Sequence, residues 1–467
     1  MLNRFAHAFV ALALTISAAI AQTTSSLLQP GPHEGLFLIV TDIHFDPFAK
    51  PELVPKLDQS HVSEWSAIFR KGAGNDFQGY GDDAGYPLMA SALQAAAAQK
   101  FDYDYVLYTG DYLSHGFNDD YKRFAGSKPL GITSFSIKTT QYVSRLLSET
   151  FGDIPILGVM GNTDSACGDY QIAPDSDYLV GLSDQWARLS DQPERFTQFR
   201  AGGYYKVAHP TLANQDIIVL NNIFWTPRYS DDCNSDGGDP GTAMMSWLDH
   251  QLNETQQAGR KAQILMHVPP GMNAYSSSNR KGSCDQRLSP FWQDQYANGF
   301  VGLMRKYAGL VDYTFSGHTH MDSFAIIKDA SGAPLVASQI TPAVSPIFGN
   351  NPAFAVFLYD RKNGELKDSE TFYLTNLAGT KTGTKPDWQS EYSYKATYSV
   401  PNLTAKSRSE AAGRIKTDAD LRAKFTELYA VSTQGSNPIK PSNWQAYTCA
   451  QTEVEPAAYQ TCYCDEN

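Results

Sequence analysis

Asp104-Tyr105-Val106-Leu107-Tyr108-Thr109-Gly110-Asp111 decides how this chain is read. Tyr105 to Tyr108 is a short apolar strand that stops at Gly110 and carries a carboxylate at its carboxyl end. In α/β sheets, ligand sites lie beyond the carboxyl ends of strands. Four other strand-like runs also end in side chains that bind metals. Leu36 to Val40 runs into Asp42 and His44, and Ile154 to Met160 into Asn162. Ala262 to Met266 runs into His267, and Tyr313 to Phe315 into His318 and His320. Asp42 and His44 are two apart, so an extended segment points both the same way. His318 and His320 repeat that spacing after Gly317.

Each motif alone has an ordinary reading: a strand-end Asp, a turn Asn, a pair of loop histidines. Together, in order, they supply oxygens and imidazoles of the kind that suits divalent transition metals. The expected arrangement puts Asp42, His44 and His320 on one ion and Asn162, His267 and His318 on the other. Asp111 joins the two. Crowding such groups without metal would leave buried charge unpaired. Two ions about 3.5–4 Å apart hold a bridging hydroxide, because the pKa of bound water falls to about 7. They also clamp the oxygens of a phosphoryl centre as charge builds. His115, four residues past Asp111, is the candidate proton donor to the leaving group.

The remaining sequence sets the frame. The chain has 467 residues, 42% hydrophobic, enough for one large domain and an appendage. The net charge of −12 argues against a nucleic-acid backbone binder but leaves room for a small phosphorylated substrate. Arg4, the apolar run Phe9 to Ile20 and Ala19-Ile20-Ala21 form a signal peptide over residues 1–21. No later stretch is long and apolar enough to span a membrane. The expectation is an exported monomer, in an extracellular, periplasmic or lysosome-like compartment. Six scattered cysteines fit that address. Cys233 is expected to pair with Cys284, closing a loop of roughly 50 residues worth about 4 kcal/mol. Cys449, Cys462 and Cys464 leave their connectivity open. Asn253-Glu254-Thr255 and Asn402-Leu403-Thr404 are glycosylation sequons.

Helices are expected over 87–100, 139–150, 242–256 and 295–307, with Pro334 to Ile347 and Phe354 to Tyr359 as closing strands of a second sheet. The boundaries fall at 34–376 for a catalytic domain and 377–467 for a helical, disulfide-tied subdomain.

Asp42-x-His44, Gly110-Asp111, Gly161-Asn162, His267-Val268-Pro269-Pro270 and Gly317-His318-Thr319-His320 resemble the signature of calcineurin-like metallophosphoesterases. His115, the HVPPG run and GHTHMDSF are more specifically similar to acid sphingomyelinase-like phosphodiesterases. That resemblance continues through Thr371 to Asn376 into the cysteine-containing C-terminus. It implies a four-layer αββα sandwich and a pair of zinc ions, with manganese or iron as alternatives. It carries over metal ligation to Asp42, His44, Asp111, Asn162, His267, His318 and His320, and acid catalysis to His115. One position departs: the family's GNH is here Gly161-Asn162-Thr163, so Thr163 is placed against the substrate with a hydroxyl that is a poor acid. The short spacer before the first strand leaves no room for a lipid-handling domain, which favours a soluble phosphodiester, nucleotide or pyrophosphate. Two rivals stand beside this reading. One is an endopolyphosphatase, suggested by Asp232-Cys233-Asn234-Ser235 and the HVPP run. The other is an exported binding protein that hydrolyses its phosphorylated ligand slowly.

Overall fold

The computed structural model describes residues 27–465 apart from 73, 75–76 and 231–237. The expected signal peptide, Cys233 and the 232–235 stretch lie outside the described residues. Among the described residues, twelve strands form two six-stranded sheets. The first runs in the order β12-β11-β10-β1-β2-β3. Its members are β1 (Glu34–Val40), β2 (Tyr103–Tyr108), β3 (Ile156–Gly158), β10 (Ala353–Asp360), β11 (Leu366–Leu374) and β12 (Trp388–Ser393). The second runs β4-β5-β6-β7-β9-β8. It contains β4 (Tyr205–Ala208), β5 (Gln215–Val219), β6 (Lys261–Leu265), β7 (Val311–Ser316), β8 (Ser323–Lys328) and β9 (Pro334–Ile340).

The apolar runs become buried strands because both of their faces are covered. Leu36 to Val40 is buried throughout, and so is Tyr105 to Tyr108. The two sheets meet face to face. Phe37 of β1 stacks on Phe357 of β10 at 5.1 Å and meets Phe315 of β7 edge-on at 5.6 Å. Such aromatic pairs add to simple area burial. Helices cover the outer faces. Tyr86–Ala98 and Ile132–Phe151 lie over the first sheet, and Pro240–Gln257 and Asp294–Lys306 over the second. The αββα sandwich therefore has four layers. Pro87 sits in the first turn of its helix, where its missing N–H costs nothing. Leu88, Met89, Ala92, Leu93 and Ala96 form that helix's buried stripe.

The parallel order of β1, β2 and β3, and of β5, β6, β7 and β9, points all their carboxyl ends to one edge of the sandwich. That geometry gathers the motif-bearing loops.

Two expectations are corrected here. Phe354 to Tyr359 does not close the second sheet: β10 pairs antiparallel with β1 in the first, Leu38 opposite Val356. A buried strand with two apolar faces fits either sheet, so its composition carries no preference. Cys284 bonds to Cys464, not Cys233. The short helix Cys284–Arg287 packs against the last helix, Pro456–Cys464, which brings the two Cα atoms to 5.6 Å. Cys449 and Cys462 join the last two helices, and Cys167 is also disulfide-bonded.

Beyond residue 377 the chain adds β12 to the first sheet, antiparallel to β11. Helices Ala405–Thr417 and Trp444–Thr452 then pack on β8. No helix among the described residues is long and apolar enough to cross a membrane.

Candidate active site

The loops after β1 and β2 zip together through backbone bonds. Asp42 N–H donates to Gly110 O (3.0 Å), and His44 N–H to Asp111 O (3.1 Å). The loops after β6 and β7 join likewise, Gly317 N–H to His267 O (3.0 Å). Two contacts bridge the sheets: His267 Nδ1 lies 2.7 Å from Thr109 O, and His318 N–H donates to Asp42 Oδ1 at 3.0 Å. These contacts are tight enough to demand glycine. A Cβ on Gly110, whose φ is +104°, would stand 2.6 Å from His267 Nδ1. A Cβ on Gly317 would collide with Asp42 Oδ2 and Thr41 Oγ1. Asp42, His44, Asp111, His318 and His320 all have φ between 45° and 70°. Left-handed backbone at five non-glycine residues is a local cost that the surrounding bonds sustain, and such strain clusters at functional sites.

The seven side chains singled out in sequence converge. His44 Nε2 is 3.1 Å from His320 Nε2, and His320 Nε2 is 3.5 Å from Asp42 Oδ1. Asn162 Oδ1 is 3.1 Å from His267 Nε2 and 2.9 Å from His318 Nδ1. Asp111 Oδ2 stands between the two groups, 3.2 Å from His44 Nε2 and 3.1 Å from His267 Nε2. His44 Nδ1 faces Leu113 O at 2.9 Å, as His267 Nδ1 faces Thr109 O. A carbonyl accepts only from an N–H, so the proton sits on Nδ1 and the Nε2 lone pair points inward. This is how proteins orient metal-ligating histidine.

Ring nitrogens, carboxylate oxygens and an amide oxygen thus face one another at 2.9–3.2 Å, on buried side chains apart from half-buried His318. Without cations, protons on His44 and His267 pair with the Asp111 carboxylate. Burial pulls His44 and His267 down, but the Asp111 carboxylate outweighs it and raises them to about 10 and about 9. Burial, with the neighbouring imidazoles, holds His318 down at about 3 and His320 well below its ordinary range. Burial also lifts Asp42 to about 6. Imidazoles, carboxylates and an amide oxygen converging in two adjoining clusters are donors that suit divalent transition metals, so the set fits a dinuclear metal site.

His115 stacks on His44 with ring centroids 4.2 Å apart, at the wall of a cavity of about 780 Å³. Its Nδ1 lies 3.1 and 3.2 Å from the two oxygens of Asp83, and its backbone N–H donates to Asp83 Oδ2 at 2.7 Å. Asp83 sits below its ordinary value: burial pushes it up, but the hydrogen bond and charge of His115, with His44, more than offset that. Thr163 is buried behind Asp111. Its N–H and hydroxyl lie 2.9 and 3.0 Å from Asp111 Oδ1, so it holds Asp111 rather than facing the cavity.

Three acidic residues were not singled out from the sequence. Asp83 lies in a loop whose Gly and Asp content signals only a turn. Asp164 ends the Gly161-Asn162-Thr163-Asp164 run. Its carboxylate accepts from the N–H groups of Asp111, Tyr112 and Gly161 at 2.7–2.9 Å, staking the Asp111 loop to the Asn162 loop. Burial and the Asp111 charge push it up to about 7. Asp169 accepts from the Asn162 amide at 2.7 Å. Only the position of Asp164, directly after the motif, offered a signal.

Residues 35–322 match the calcineurin-like phosphoesterase family, and 332–467 the acid sphingomyelin phosphodiesterase C-terminal region. Human acid sphingomyelinase-like phosphodiesterase 3b is 26% identical over 444 residues, covering 92% of this chain and 90% of its own. Human cyclic GMP-AMP phosphodiesterase SMPDL3A is 25% identical over 446 residues, 93% and 91%. Sphingomyelinase phosphodiesterase C of Dictyostelium discoideum is 25% identical over 424 residues, 87% and 88%. With the strand-end ligands assembled around Asp111 and the family's model spanning more than half its length, the chain belongs to the calcineurin-like phosphoesterases, with an acid sphingomyelinase-type C-terminal region.

Proposed function

We propose that this protein is an exported phosphodiesterase that uses two divalent ions, zinc in the first instance, to hydrolyse small phosphodiesters or phosphoanhydrides. One observation carries the reading: Asp111 Oδ2 lies within 3.2 Å of one imidazole from each ligand group, His44 and His267. Asp42, His44 and His320 would hold one ion and Asn162, His267 and His318 the other. The ions would supply an acidified water and charge stabilisation at phosphorus. The chain's own residues do the rest. His115 Nε2 is left for the cavity, because Nδ1 is engaged by Asp83. A proton there can pass to the leaving oxygen, with the Asp83 carboxylate stabilising the imidazolium that donates it. Thr163 fixes the outer oxygen of Asp111 and leaves protonation to His115.

The cavity size suits a nucleotide or phospholipid headgroup. Tyr275 and Phe348, both more than half exposed, stand at its lining beside Phe291. Such surfaces take a flat base or an apolar headgroup. The relatives named above are phosphodiesterases by name, which supports the diester class and leaves the particular diester to experiment. The leader sequence and the disulfides support export.

A turnover panel with metal analysis tests this: bis-p-nitrophenyl phosphate, ATP, CDP-choline, sphingomyelin and polyphosphate. Metal-dependent turnover of the small diesters or anhydrides is expected. Preference for polyphosphate would favour an endopolyphosphatase, and tight binding without turnover a phosphate-ligand carrier.

A further inference from the structure

Asn162 is the one neutral amide among the candidate ligands, and an amide has a right and a wrong way round. Its oxygen can bind a cation, and its nitrogen cannot. In the structure Oδ1 faces His267 Nε2 and His318 Nδ1. Nothing in that contact fixes the choice: a deprotonated ring nitrogen would accept a hydrogen bond from the amide's NH₂ in the same place. The decision is made on the far side. Asn162 Nδ2 donates to Asp169 Oδ1 at 2.7 Å. A carboxylate only accepts, so it selects the NH₂ and turns the oxygen inward.

Asp169 is itself fixed. Its other oxygen accepts from Arg228 at 3.0 Å, and the Arg228 guanidinium lies over the Tyr170 ring at 4.2 Å. Tyr170 in turn donates its backbone N–H to the carbonyl of Asn162 at 2.8 Å and closes the loop. Asp169 and Arg228 both line the cavity, so the lock sits at the solvent side of the centre.

We infer that Asp169 is a positioning residue: it sets the amide orientation of Asn162 and thereby the affinity of one of the two ions, the one shared with His267 and His318. The inference rests on the two-ion reading above. Hydrogen-bonding partners behind a ligand govern metal affinity by about 10- to 100-fold.

Chelator-competition titration with Zn²⁺, with Co²⁺ absorption as a second readout, tests it on the full-length protein. Asp169→Ala weakens one ion about 10- to 100-fold and leaves the other unchanged, and the Co²⁺ spectrum of one site alone moves. Asp169→Asn keeps an acceptor for the amide and restores binding. Asn162→Asp offers oxygen whichever way it turns, so adding Asp169→Ala to it produces no further loss. Wild-type affinity in Asp169→Ala, equal weakening of both ions, or an Asn162→Asp/Asp169→Ala double variant weaker than Asn162→Asp would each overturn the inference. A wild-type protein that binds fewer than two ions would overturn the two-ion reading itself, and this inference with it.

Discussion

Replacing Asp83 by Asn should slow the cleavage of difficult leaving groups while sparing easy ones. Asp83 presents both carboxylate oxygens to His115 Nδ1, at 3.1 and 3.2 Å, and is itself almost buried. His115 is about one-third exposed (33%), so solvent screens part of the attraction. A hydrogen bond to a charged group is worth about 1.5–3 kcal/mol net. Asn keeps the shape and loses the charge. The contact that holds His115 should therefore weaken by about 10- to 150-fold at most, at 1.4 kcal/mol per tenfold. The assay is kcat/KM for two diesters of one acid, one leaving as p-nitrophenolate and the other as an alkoxide such as choline. The alkoxide substrate should lose about 10- to 150-fold in Asp83→Asn and about 10²- to 10⁴-fold in His115→Ala. The p-nitrophenyl substrate should lose little in either. The double variant should be no worse than His115→Ala, because Asp83 acts through His115. Equal losses on both substrates, or additive losses in the double variant, would refute the pair as the proton donor.

Two other perturbations test the frame around the site. In Gly317→Ala the new methyl meets Asp42 Oδ2 and Thr41 Oγ1, so Asp42 must move. The ion held with His44 and His320 should be lost while the fold persists, which metal analysis and circular dichroism would show together. Asp322 is buried, accepting from Thr371 at 2.7 Å and Tyr392 at 3.0 Å, and burial raises it from 3.8 to about 6. The folded form then binds more protons than the unfolded chain between those values, so stability falls as pH rises from about 4 to about 6. The fall is at most about 3 kcal/mol, two units at 1.36 each. Asp322→Asn should flatten it in urea titrations at pH 4 and 7. An unchanged slope would remove Asp322 as its source.

The strand ends were legible because parallel sheets impose a simple rule: an apolar run that stops in a polar side chain delivers that side chain to one edge. Asp42, Asp111, Asn162, His267 and His318 follow it. The groups behind them were not legible. Asp83 reaches His115 from 32 positions away, and Asp169 reaches Asn162 by a loop turning back on itself. Neither has a periodicity or spacing that marks it. The place of β10 was lost for another reason: a strand buried on both faces has no side that tells one sheet from the other. The partner of Cys284 was set by helix packing in the last residues of the chain, and sequence separation carries no record of that. Thr163 shows the limit of reading a motif by position alone. It stands where the family places a substrate-facing side chain, yet its hydroxyl is turned onto Asp111 and the Leu113 carbonyl.

The proposed dinuclear site depends most on one shared carboxylate, and counting metals in its absence tests it most directly. Elemental analysis of purified wild-type protein and of Asp111→Ala, folded by circular dichroism, should give two ions per chain in the first and none in the second. Two ions retained by Asp111→Ala would contradict the bridging role and the dinuclear chemistry built on it.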